Sequence, residues 1–133
     1  MSFFDTAFVV DLLREQRRGL IGPAYKKLQQ LGETPVQLSC FVVCELEAGA
    51  SLHQGQGERQ HVHHICELFE IVYPDDRFAP RYGATLAELK RQRVTVATMD
   101  LLIGVQALVH NDVVVTRNIR HFQKIPTLHV EDY

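Results

Sequence analysis

The sequence predicts a three-layer α/β domain, with a central parallel β-sheet flanked by helices. Three observations predict it. Short apolar runs alternate along the chain with longer segments of helical period. Leu101, Leu102, Ile103, Val105, Ala107, Leu108 and Val109 are apolar on nearly every side of a helix, so that helix reads as buried. Val113-Val114-Val115 is β-branched and lacks polar alternation, as expected of a strand covered on both faces. Strands that alternate with helices are joined by right-handed crossovers into a parallel sheet.

Each element has its own local reason. Phe3 and Phe4 begin a first strand that stops at Asp5. Thr6 opens a helix carrying Ala7, Phe8, Val9, Val10, Leu12 and Leu13. Arg14, Arg17 and Arg18 lie at its far end, and Gly19, Gly22 and Pro23 break it. A second helix sets Tyr25, Leu28 and Leu31 against Lys26, Lys27, Gln29 and Gln30, and Gly32 ends it. Thr34 to Leu38 reads as the second strand. Ser39 is placed to cap a helix from Cys40 to about Leu52, apolar through Phe41, Val42, Val43, Leu46 and Ala48 but interrupted by Glu45. Gly55-Gln56-Gly57 reads as a turn. Glu58 to Glu70 reads as a polar helix with Val62, Ile65, Leu68 and Phe69 inward. Ile71-Val72-Tyr73 follows as a strand closed by Pro74-Asp75-Asp76, then a helix from Arg77 to Gln92. The apolar helix comes next, with Thr98 placed to cap its first turn and Asp100 in that turn. Val113 to Val115 leads into the polar turn Thr116-Arg117-Asn118, and a last strand is expected near Thr127 to Val130.

The 133 residues read as one domain, 1–133, long enough for a sizeable core. Fourteen basic residues nearly balance 16 acidic ones, so net charge advertises no nucleic-acid partner, although a local basic surface still could. Cys40, Cys44 and Cys66 are three cysteines without framework spacing and read as reduced core thiols of a cytoplasmic protein. Neither a leader segment nor a membrane span is expected, and no repeat or linker is visible.

In open α/β sheets, sites lie beyond the carboxyl ends of the strands. Asp5 ends the first strand, Glu45 lies about two turns into the helix after the second, Asp100 opens the buried helix and Asn118 follows Val113–Val115. Each has an ordinary reading too. Asp5 can be a helix cap, Asp100 a first-turn acid favoured by the helix dipole, Glu45 part of a solvated stripe, and Asn118 a turn residue. Three converging carboxylates would repel strongly without cations among them. Carboxylate oxygens suit magnesium or manganese, which can orient a water and stabilise a phosphodiester's transition-state charge.

Phe4-Asp5-Thr6-Ala7-Phe8, then Ser39 with Glu45-Leu46 and Gly49, then Met99-Asp100-Leu101-Leu102-Ile103, then Thr116-Arg117-Asn118 with His121-Phe122 occur in that order. Together they resemble PIN-domain ribonucleases, and most closely the VapC-type toxins of bacterial toxin–antitoxin pairs. The resemblance covers essentially the whole chain, including Ile125-Pro126-Thr127-Leu128. It implies a Mg²⁺- or Mn²⁺-dependent endoribonuclease of a type II toxin–antitoxin system, a homodimer, and a small VapB-like antitoxin as partner. Asp5, Glu45 and Asp100 match the family's three metal-binding acids, which hold the metal-bound water that hydrolyses RNA. Asn118 matches a fourth position, often Asp and sometimes Asn, and its amide oxygen ligates more weakly. Thr116 is similar to the family's polar residue at the strand end and is expected to hydrogen-bond a ligand or water. Gly104 stands where the family usually has alanine.

Other features read as structure. His61 and His64 share a helix face, but nothing completes a tetrahedral zinc set. Asp75-Asp76 imitates the acid pair of a receiver domain and reads better as a helix cap. Arg117 and Arg120, with Lys90, Arg91, Arg93 and Lys124, could form a phosphate-contacting rim or simply a solvated surface. Two rivals remain: a receiver-like signalling domain, which should carry a lysine just after its last strand, and a catalytically silent PIN scaffold that binds protein.

Overall fold

A computed structural model describes residues 1–53 and 57–133. The turn expected at Gly55-Gln56-Gly57 lies outside the described residues except for Gly57. The elements are β1 (Ser2–Phe4), α1 (Thr6–Arg18), α2 (Pro23–Leu31), β2 (Val36–Ser39), α3 (Cys40–Leu52), α4 (Glu58–Cys66), β3 (Glu70–Val72), α5 (Phe78–Arg91), α6 (Thr98–His110), β4 (Val113–Val115), α7 (Ile119–Phe122) and β5 (His129–Glu131).

All strand pairs are parallel, in the order β3-β2-β1-β4-β5. β1 is central and fully buried because Phe3 and Phe4 send one aromatic ring to each face. Phe4 meets Phe8 at a ring-centroid distance of 4.3 Å and Phe69 at 5.6 Å. Burying such a ring contributes about 1.5–3 kcal/mol. Helices α1 to α4 pack among themselves, as do α5 to α7. Right-handed crossovers put these two groups on opposite faces, which gives the three layers. The strand order also decides against the receiver-like reading, since that fold runs 2-1-3-4-5.

One connection is built on a side chain. Glu15 of α1 accepts the N–H groups of Gly22, Ala24 and Tyr25, each at 3.0 Å. Those are orphan donors at the start of α2, whose own N-cap, Gly22, has no side chain to offer.

Several boundaries differ from the sequence-based expectation. α4 stops at Cys66, and Glu70 belongs to β3. Leu68, expected inward, is 54% exposed, because the chain leaves the helix before reaching it. The second strand starts at Val36 rather than Thr34, and α5 starts at Phe78 rather than Arg77. Thr98 does not cap α6. It is already helical, and the N-cap falls to Ala97, which has no acceptor. The last strand starts at His129, because Thr127 is left-handed (φ 64°) and cannot lie in a strand. The three cysteines are free, but none is a core residue: Cys44 is exposed and the other two are half-buried. α7 is too short for any apolar period to announce it.

Candidate active site

The strand order reverses direction at β1, with β2 on one side and β4 on the other. Ligands of open sheets bind outside the carboxyl ends of strands at such a switch point. The residues just past the ends of the neighbouring strands β1 and β4 are Asp5 and Thr116, both buried. The Thr116 hydroxyl donates to Asp5 Oδ2 at 2.5 Å. The Phe8 N–H donates to Asp5 Oδ1 at 2.9 Å. Asp5 is therefore the N-cap of α1 as well as a candidate site acid. The Asn118 N–H donates to Thr116 Oγ1 at 2.8 Å. Thr116 thus joins Asp5 to Asn118 through one hydroxyl, which donates to the first and accepts from the second.

Glu45 sits on α3 and Asp100 in the first turn of α6, and these two helices are in contact. Thr6 donates to Glu45 Oε1 at 2.6 Å, which ties this acid to the first residue of α1. His121 Nδ1 lies 3.6 Å from Asp100 Oδ2. Burial raises the pKa of Asp5. Its bonds from Thr116 and Phe8 oppose the rise, the negative charge of Asp100 adds to it, and Arg117 opposes it. Burial also raises the pKa of Asp100; His121 opposes that and Glu45 adds to it. Asp5, Asp100 and Glu45 thus form a chain of acids in which Glu45 makes Asp100 harder to ionise and Asp100 does the same to Asp5.

Among the described residues, no three His, Cys, Asp or Glu side chains converge tightly enough to hold an ion alone. The donor set nonetheless fits a hard divalent cation. It offers only oxygens, it is short of positive charge, and magnesium is commonly held by one or two carboxylates while waters and phosphates complete its shell. Asp5 and Asp100 would hold it, with Glu45 beside them.

Three hollows open around the acids. A groove of about 460 Å³ runs between α1, α3 and α4, with Thr6 and Glu45 in its lining and Arg14, Arg17 and Arg18 along its wall. A hollow of about 150 Å³ joins Asp100 to His121 and Lys124. One of about 490 Å³ is lined by Arg117, Asn118, Arg120 and His121. Arg117 and Arg120, picked out as a phosphate-contacting rim, thus share one surface, although Arg117 is also paired with Asp11. Asn118 reaches the site through its backbone, as the N-cap of α7, and its side chain makes no capping bond. His61 and His63 have ordinary surface partners, Arg17 and Glu47. Asp75 closes a turn by accepting from the backbone and side chain of Arg77.

Reading acids and their spacing missed the supporting partners Thr6, His121 and Asp11. Thr6 and His121 lie within the family-like motifs, and no local pattern marks Asp11.

A PIN domain model matches residues 2–128. Ribonuclease VapC1 of Haemophilus influenzae (strain R2866) is 26% identical over 130 residues, covering 97% of this chain and 95% of that protein. The structure of VapBC2 from Rickettsia felis bound to a DNA fragment from its promoter superposes with a TM-score of 0.89 at 24% identity, over 99% of this chain and 98% of that one. VapBC-1 from nontypeable Haemophilus influenzae superposes at 0.83 with 26% identity, over 98% and 96%.

Proposed function

The chain belongs to the PIN-domain family, and from that membership we propose that it is a divalent-metal-dependent endoribonuclease, the toxin of a type II toxin–antitoxin pair. The observation that carries the reading is the acid chain Asp5–Asp100–Glu45 at the switch point of a parallel sheet. The relatives named ribonuclease VapC supply the substrate class. A silent scaffold would have no reason to keep Asp5 buried where the charge of Asp100 hinders its ionisation, with Glu45 doing the same to Asp100.

Mg²⁺ or Mn²⁺, when bound, supplies the charge that offsets the acids and lowers the pKa of a coordinated water. Asp5 and Asp100 would hold the ion, and Glu45 stands where it can take a proton from a nucleophilic water. Thr116 and the Phe8 N–H fix the orientation of Asp5, and Thr6 fixes that of Glu45. Asn118 would add at most a neutral oxygen. Arg120 and Lys124 line the flanking hollows, where phosphates on either side of the bond would lie. The partner is a small VapB-like antitoxin that neutralises the acids with an arginine or lysine. Arginine suits best, since its fork engages two carboxylate oxygens. The chain itself assembles as a homodimer.

The test is cleavage of total RNA with Mg²⁺ or Mn²⁺ by wild type and by Asp100→Asn, with circular dichroism as the folding control. Loss of about 100-fold or more in a folded variant is expected. Undiminished cleavage by folded Asp100→Asn would remove Asp100 from the site.

A further inference from the structure

One partly buried arrangement of charged groups lies beside the acid chain rather than in it. Asp11 on α1, Arg117 in the loop after β4 and Tyr133 beyond β5 meet at one carboxylate. Arg117 Nη1 donates to both Asp11 oxygens at 3.0 Å each. The Tyr133 hydroxyl donates to Asp11 Oδ2 at 2.6 Å. The Asp11 side chain is 14% exposed, whereas that of Arg117 is 51% exposed. The Tyr133 ring stands edge-on to Phe8, centroids 4.7 Å apart. Phe8 is the residue whose N–H holds Asp5.

A bare surface ion pair would contribute little and would not need a largely buried acid with a second donor behind it. The construction bears on the arginine. Both bonds use Nη1, which leaves the Nη2 and Nε hydrogens of the fork for another acceptor. Arg117 directly follows Thr116, its charge reaches Asp5, and it lines the 490 Å³ hollow with Asn118, Arg120 and His121. Without Asp11, its guanidinium would lose its anchor and be free to turn toward other carboxylates, Asp132 in the same hollow among them.

We propose that Asp11 and Tyr133 are positioning residues that hold Arg117 beside the acid site as a clamp for an RNA phosphate flanking the bond to be cut. The proposal rests on the ribonuclease reading. A planar fork on a fixed base matches phosphate oxygens and loses little freedom on binding.

The test uses the full chain and a fluorescein-labelled single-stranded RNA. Cleavage is measured with Mg²⁺, and affinity is measured without divalent metal over a range of KCl. Arg117→Gln should lower kcat/KM by about tenfold. It should also flatten the slope of log Kd against log KCl by about 0.7, one phosphate contact. Asp11→Ala should lose about as much although Arg117 is still present. The double variant should be no worse than Arg117→Gln within about twofold, because the aspartate acts on the clamp through Arg117, its contact with Arg14 being a longer, exposed one at 3.5 Å. Tyr133→Phe keeps the ring on Phe8 and should lose a few-fold. A merely structural pair would leave the slope unchanged in Arg117→Gln, and an unchanged slope, or effects of the two substitutions that multiply, overturns the clamp. Where Asp11→Ala does not fold, Tyr133→Phe takes its place in the same cycle, and multiplying effects again overturn it. A wild type that cuts no RNA but keeps an Arg117-dependent slope defeats the ribonuclease reading and leaves the clamp. A wild type that cuts RNA as well as its clamp variants do defeats the clamp alone.

Discussion

Thr116 and Asp5 lie 111 residues apart in sequence and share a buried hydrogen bond of 2.5 Å. The same hydroxyl oxygen receives the Asn118 N–H. Thr116→Val keeps the shape and leaves Asp5 Oδ2 and the Asn118 N–H without their hydroxyl partner. The expected loss is about 2–3 kcal/mol, or roughly 10 °C in Tm, with Thr116→Ser close to wild type. Thermal denaturation followed by circular dichroism checks it. A valine variant that melts like wild type would mean the hydroxyl adds nothing to stability.

Burial raises the Asp100 pKa in the folded chain, against His121 and with Glu45. The folded state therefore binds a proton more tightly than the unfolded one. Stability of the metal-free chain falls as pH rises from about 3.9, the unfolded value, through the raised folded value, and the penalty is complete above that. Asp100→Asn removes it. The metal-free variant should melt a few degrees above wild type near neutral pH, with the gap closing towards about pH 4. Mg²⁺ should raise the wild type more than the variant. A variant that melts below wild type at neutral pH would contradict a strained carboxylate.

Gly104 lies in the buried stretch of α6. A Cβ there would come 2.4 Å from Ile125 Cδ1 and 3.3 Å from Leu128 Cδ2. Alanine would gain about 0.5–1 kcal/mol of helix stability but overpack the core by about 1–3 kcal/mol. Gly104→Ala should therefore cost about 1 kcal/mol net. Adding Ile125→Val, which lacks the offending methyl, should recover much of it in chemical denaturation. Equal stability of the single and double variants would mean Ile125 moves aside freely.

Glu15 holds three backbone N–H groups at the start of α2. Glu15→Ala should cost about 2 kcal/mol, and Glu15→Gln less. Gly22→Ala should cost a similar amount by another route, since its Cβ would lie 2.4 Å from Glu15 Cδ and displace the carboxylate. Hydrogen exchange at Ala24 and Tyr25 reads the effect locally. Unchanged protection in Glu15→Ala would show that water replaces the carboxylate without loss.

The fold was legible where local chemistry acts alone. Ser39 announces α3 because its hydroxyl caps Phe41 N two residues on. Asp5, Glu45 and Asp100 stand out because an acid beside apolar runs needs a reason. Thr98 misleads, since threonine fits both the N-cap and the first helical position, and only the backbone decides. Phe69 extends the apolar period of α4 although the helix has already ended, because it is buried against Phe4 from outside the helix. The partners of the acids were not legible as such. Thr6 reaches Glu45 across 39 residues and Thr116 reaches Asp5 across 111, and no short window holds both ends.

The central position of β1 also sets a timetable. Its partner β4 is encoded near the other end of the chain, in the register Ser2↔Val113 to Phe4↔Val115. During synthesis at about 5–20 residues per second, roughly 6–20 s separate the emergence of Asp5 from that of Thr116. Throughout that interval the middle of the sheet has an open edge and Asp5 lacks its hydroxyl partner. A nascent chain therefore cannot assemble the acid site before Thr116 has been made and β4 has paired with β1. Activity begins only after β4 has docked, and that delay is written into the order of the strands.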